Sequence, residues 1–262
     1  MKKTTIIIAL GLSAFLGLWL IAVPENLIID FIENSLIKSG VKIETEDFKK
    51  GLFYNFSIKR LNVTAKNNIP MLTIKDVEAR LNFTSVVKLT PRIYFNGNVN
   101  NGKIHGNISL KGAEGASIIT GSDIDIHDIP ALSRLGIQGK GKLTFDLWHM
   151  NNLSEIKFSL GDANTIASFS GIGIIPLDIF QNVRGTLIIE NESASVKSLV
   201  LEGRGIYARV KGDISRDNQN LKIEVMADSS QPGLSSLKII EQFKVSPGYY
   251  VIPLPYFKIP PN

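Results

Sequence analysis

The chain has 262 residues, of which 44% are hydrophobic, and 29 Lys or Arg stand against 24 Asp or Glu. That balance excludes a disordered chain, and a formal charge of +5 with no basic run longer than a pair excludes a nucleic-acid-binding stripe. The absence of cysteine excludes a disulfide framework, a thiolate metal site and a cysteine nucleophile.

Lys2 and Lys3 precede an uncharged stretch, TTIIIALGLSAFLGLWLIAV, at residues 4–23. At the helical rise of 1.5 Å per residue this length matches a hydrocarbon core of about 30 Å. Ala22-Val23-Pro24 is a poor cleavage site. Residues 1–23 are therefore expected to form a cytoplasmic tip and an uncleaved signal-anchor transmembrane helix. The expected localisation is single-pass in the inner membrane, N-terminus cytoplasmic and bulk of the chain periplasmic. Residues 24–40 read as an amphipathic linker helix with Leu27, Ile28, Phe31, Ile32 and Leu36 at helical spacing and Gly40 as its C-cap. Such a helix either lies on the membrane or packs on the first strands.

From Val41 onward the apolar period is two. Leu61, Val63 and Ala65 alternate with polar residues, as do Val77, Ala79, Leu81 and Phe83, then Leu143, Phe145 and Leu147, and Leu221, Ile223, Val225 and Ala227. In GIYARVKGDIS, residues 205–215, Ile206, Ala208, Val210, Gly212 and Ile214 alternate with Tyr207, Arg209, Lys211 and Asp213. Turn-like breaks fall at Asn67-Asn68, Asn100-Asn101-Gly102, Asn191-Glu192 and Arg216-Asp217-Asn218. The fold class expected for 41–262 is therefore mainly β, a periplasmic antiparallel β domain built as a meander. Helical signals are short: 129–135 with Pro130 near its start, one turn at 177–182, and 233–243. The proline-rich tail from Gly248 cannot run throughout as a central strand.

Two stretches resemble the AsmA-like family of bacterial envelope proteins. One is DIHDIPAL at 125–132 followed by GKGKLTFDL at 139–147; the other is LVLEGRGIYARVKGDI at 199–214. Within that family the single anchor, the extracytoplasmic β-meander and the short proline-rich end are similar to the protein N family of type II secretion systems. The resemblance implies a curved antiparallel sheet with an apolar inner face, kinship with proteins that move lipid between membranes, and a place as an accessory component of a secretion machine.

Each strand carries an apolar face that a few short helices cannot cover, so the sheet either rolls into a sandwich or leaves an open groove for acyl chains. Groove candidates are Ile104, Ile108, Leu110, Leu143, Phe145, Ile206, Val210 and Ile214; the same residues serve equally as a closed core. In SDIDIHD, 122–128, Asp123, Asp125 and His127 would share one face of a strand and are the weak candidates for a divalent metal. The plainer reading is a wet face over Ile124 and Ile126. His105, His127 and His149, the three histidines, read as residues on or beside strands. There is no G-x-S-x-G elbow, and FSGIG at 169–173 lacks the Lys and Ser/Thr of a phosphate loop. Asp146, Glu190 and Glu224 read as ordinary outer-face carboxylates. No catalytic residue, cofactor or metal is expected. The functional expectation is a non-catalytic scaffold or assembly protein of type II secretion, with a lipid-binding or lipid-transfer groove as the alternative and a periplasmic enzyme as the least favoured. Expected partners are the inner membrane, other secretion-system or envelope proteins and phospholipid, with no nucleic acid.

Overall fold

A computed structural model of the chain describes residues 11, 17, 24–37, 41–52, 54–65, 68–82, 85, 90–109, 115–134, 137–169, 173–176, 179–190, 193–214, 219–228 and 238–254. Among the described residues no helix is long and apolar enough to cross a membrane. Of the expected span, only Gly11 and Gly17 are described, both helical; the remainder lies outside the described residues. The stretch 41–262, read from sequence as one β domain, divides between two compact units, Met1–Gly115 and Ala116–Asn262.

The first unit holds helix α1 (Glu25–Ile37) and strands β1 (Val41–Lys50), β2 (Asn55–Ala65), β3 (Pro70–Leu81), β4 (Arg92–Val99) and β5 (Gly102–Ser109), each strand antiparallel to the next. Helix α1 packs on β1, with Ile28, Ile29 and Ile32 half-buried and Leu27 exposed. The Glu25 Oε1 atom accepts the Lys50 backbone N–H at 3.0 Å, occupying a donor on the strand at the start of this sheet order. The side chains of Phe31 and Leu36 lie outside the described residues. Buried Ile43, Phe56, Ile58, Leu61, Ile74, Val77, Ala79, Val99 and Ile104 form the apolar interior, where the Phe48 and Phe56 rings stack 5.5 Å apart. The expected strand from Val77 to Phe83 ends at Leu81.

The second unit runs β6 (Ser117–Asp125), a 3-10 turn at Ile126–Asp128, helix α2 (Pro130–Arg134), β7 (Ile137–Met150), β8 (Leu153–Phe169), β9 (Gly173–Pro176), β10 (Phe180–Glu190), β11 (Ser193–Gly203), β12 (Ile206–Ile214), β13 (Gln219–Ala227), a 3-10 helix at Lys238–Phe243, β14 (Lys244–Ser246) and β15 (Tyr249–Leu254). Its antiparallel order is β6-β7-β8-β10-β11-β12-β13-β15-β14, with β9 on the last residues of β8. Pro130 opens α2 as its missing N–H allows. Of the turn expected over 177–182, Ile179 is 3-10 helical, 177 and 178 lie outside the described residues, and β10 takes over from Phe180, whose ring is buried in the core and whose backbone pairs with Gly203. Of the helix expected over 233–243, the described part is the 3-10 segment from Lys238.

Four aspartates interrupt the alternation. Asp47, Asp76, Asp123 and Asp162 sit within strands at φ of 54°, 49°, 55° and 51°, a left-handed conformation that Asp tolerates better than most residues. The pairing register shifts beside Asp76, Asp123 and Asp162. Such bulges add a residue to the wet side and increase local twist. They let Ile74 and Val77, three residues apart, both turn inward.

Candidate functional site, the apolar face of the second unit

The register aligns three apolar rows across the second unit. One runs Leu147, Ile156, Leu187, Val196, Gly212, Leu221; the next Gly121, Phe145, Phe158, Gly185, Leu199, Val210, Ile223, Ile252; the third Ile124, Leu143, Leu160, Val183, Leu201, Ala208, Val225, Tyr250. All lie on one face because side chains repeat every second residue along a strand. No charged side chain enters these rows.

Burial along the rows is uneven. On β11 to β15 most of these side chains are buried in one cluster, into which Phe180 packs, with Phe243 against it. On β7, β8 and β10 every apolar member, Leu143, Phe145, Leu147, Ile156, Phe158, Leu160, Val183 and Leu187, is only half-buried. The middle row is lined by glycine on both sides of its aromatic pair. The Phe145 ring occupies the space a Cβ on Gly121 would need, and a Cβ on Gly185 would meet the Phe158 ring at 2.8 Å. The rings therefore lie over neighbouring strands and keep this floor low.

One end of the face turns polar. This holds on β6 to β8 alone: directly beyond the Leu147 row, Ser117 pairs with His149 and His149 with Ser154, whereas the same row continues on β10 to β12 as Ile189, Ala194 and Ile214. His149 Nδ1 lies 2.9 Å from Ser154 Oγ. At the other end, on β10 to β13, the next row is Phe180, Gly203, Ile206 and Ala227, apolar and largely buried. The opposite face of the sheet is wet and carries exposed or half-exposed ion pairs, Lys157–Glu155 at 3.3 Å and Arg184–Glu202 at 2.6 Å among them. Among the described residues it carries two apolar patches: Ile118 beside Trp148, with Met150, Leu153 and Ile188, and a row of Tyr207, Met226 and Tyr249 on β12 to β15.

The register brings five of the eight groove candidates to the apolar face: Leu143 and Phe145, half-buried; Ile206 and Val210, buried in the cluster; and Ile214, placed by its backbone pairing with Ala194. The Ile214 side chain and all of Leu110 lie outside the described residues. Ile104, buried, and Ile108, half-buried, belong to the first unit. Sequence reasoning passed over Ile156, Phe158, Leu160, Val183 and Leu187, although the same period of two marks them on β8 and β10.

The three metal candidates do not converge. The strand ends at Asp125, whose Oδ1 accepts the His127 backbone N–H at 3.1 Å as the cap of the 3-10 turn. Its Oδ2 lies 3.9 Å from Lys142 Nζ. Asp123 is exposed on the bulge, and the exposed His127 ring lies 3.8 Å from Asp128 Oδ1. Among the described residues no group of three His, Asp or Glu is placed to hold a metal. No family model, curated protein or solved structure matches the chain.

Proposed function

We propose that the chain is a non-catalytic envelope protein, anchored in the inner membrane by residues 4–23, that holds acyl chains on the apolar face of its second unit. The half-burial of the eight apolar side chains that β7, β8 and β10 contribute to the three rows carries this reading. Each leaves apolar surface in water at about 25 cal/mol per Å², which a hydrocarbon occupant would remove. An acyl chain suits the rows better than an extended peptide, whose backbone N–H and C=O groups would find no partners there. The uncharged N-terminal stretch would hold the domain beside a source of such chains. The test is site-specific photo-crosslinking of the full chain in cells, with a benzoylphenylalanine at Leu160 or Leu187 compared with one at Lys157 on the opposite face. Phospholipid adducts at the first two and not at Lys157 are expected; equal or absent adducts reject the reading.

A second, compatible role is accessory scaffold of a type II secretion system, as its protein N. It is supported by the resemblance in residues 125–132, 139–147 and 199–214 and by the patch around Ile118 and Trp148, because Trp and Met at a surface suit a protein contact. Replacing Ile118 and Trp148 with Ser in the native host is expected to reduce release of type II substrates while acyl-lipid adducts persist. Unchanged secretion on deletion of the whole gene rejects this role.

A further inference from the structure

The two ends of the apolar face differ, and a bound lipid would have a direction. This inference rests on the acyl-chain reading above. We propose that a phospholipid lies lengthwise along β7 and β8 with its head group at His149 and Ser154 and its acyl ends toward Leu143 and Leu160.

On β6 to β8 Ser117, His149 and Ser154 border the Leu147 row, and the His149–Ser154 pair offers a ring nitrogen and a hydroxyl for a phosphate or glycerol ester oxygen. Both residues are half-buried, so they face the same space as the rows and still reach water. Past Leu143, β7 continues as buried Gly141, whose missing Cβ leaves room for the Leu160 side chain, and past Ile124 comes buried Ile126, so a phosphate at that end would lose its hydration. The length also fits. From His149 to Leu143 is six residues along a strand, roughly 20 Å at about 3.3 Å each, and one leaflet of a hydrocarbon core is about 15 Å deep.

The full chain would be reconstituted in phosphatidylethanolamine–phosphatidylglycerol vesicles containing one of two diazirine phospholipids, labelled in the head group or at the acyl terminus. After irradiation, labelled residues are read by fragmentation mass spectrometry. Head-group labelling at Ser117, His149 or Ser154 and acyl-terminus labelling at Leu143, Leu160 or Val183 are expected. The reverse distribution, or both labels at both ends, overturns the orientation and leaves the acyl-chain reading standing. No label from either probe on these inner-face residues overturns both. Ser154→Ala is expected to reduce head-group labelling at His149 about fivefold, the worth of one net hydrogen bond, with acyl-terminus labelling retained; unchanged head-group labelling overturns the role of the pair.

Discussion

A methyl group on Gly185 would meet the Phe158 ring at 2.8 Å and the Ser198 carbonyl oxygen at 3.0 Å. Gly185→Ala is therefore expected to lower stability by about 1–3 kcal/mol, the usual cost of overpacking. Phe158→Leu in the same chain should recover part of the loss, because the two substitutions act on one contact. Denaturant midpoints for the two single variants and the double variant check this. Ile124 has no exposed surface, so Ile124→Ala should cost about 2–5 kcal/mol. Beside it, Asp123 at φ 55° should accept Gly readily, whereas Asp123→Val should cost about 1–2 kcal/mol from the left-handed backbone. Two side chains also make a small contribution at alkaline pH. A hydrogen bond and the charge of Glu44 hold the Lys42 pKa above 10.5, and burial raises that of Tyr54 above 10.0. The folded chain thus binds more protons than the unfolded one above pH 10, so these groups lower stability as pH rises through that range and leave neutral pH unaffected.

At the scale of the element, the β7–β8 hairpin turns through Asn151 and Asn152 at φ of 52° and 64°. Two left-handed residues in a two-residue loop match the twist of the flanking strands, and Gly is favoured at the second position. Asn152→Gly should raise the thermal midpoint by an amount equivalent to about 1 kcal/mol or less, since the relief of the backbone is offset by greater freedom when unfolded. The contact of α1 with β1 is open to a different measurement. Glu25→Ala removes the acceptor for the Lys50 N–H, and hydrogen exchange at that amide should quicken while amides in the middle of β2 keep their protection. Exposed pairs such as Arg184–Glu202 contribute little, because solvent and salt screen them.

For the molecule as a whole, an occupant that binds only the folded face stabilises the fold by mass action. Stripping phospholipid from the full chain should lower its unfolding midpoint, and restoring lipid at about a hundredfold over its Kd should return about 2.7 kcal/mol. A midpoint indifferent to lipid would mean that β7, β8 and β10 bear their half-exposed apolar rows without an occupant. Much of the architecture was legible in advance. The strands around Leu61, Val77, Ile104, Leu143, Ile206 and Leu221 follow from a period of two, and α2 from a proline at its start. Where the turn over 177–182 gives way to β10 was not legible, because a short apolar segment suits a helical turn or a strand equally, and only the pairing of Phe180 with Gly203 sets the boundary.

By itself the sequence determined that this is a β protein with one greasy and one wet face per strand, since the side-chain period is a local property of an extended chain. It also determined which residue types were absent, above all cysteine. The tertiary structure alone decided which strands lie side by side, and so which apolar residues join into rows. It decided that Val210 is buried while Phe145 stays half-exposed, although both belong to the same row. It placed the bulges at Asp76 and Asp123, and it set His149 against Ser154 at the polar end of the face. These depend on register and on what packs above each strand, and long-range pairing leaves no period in the chain from which to read them.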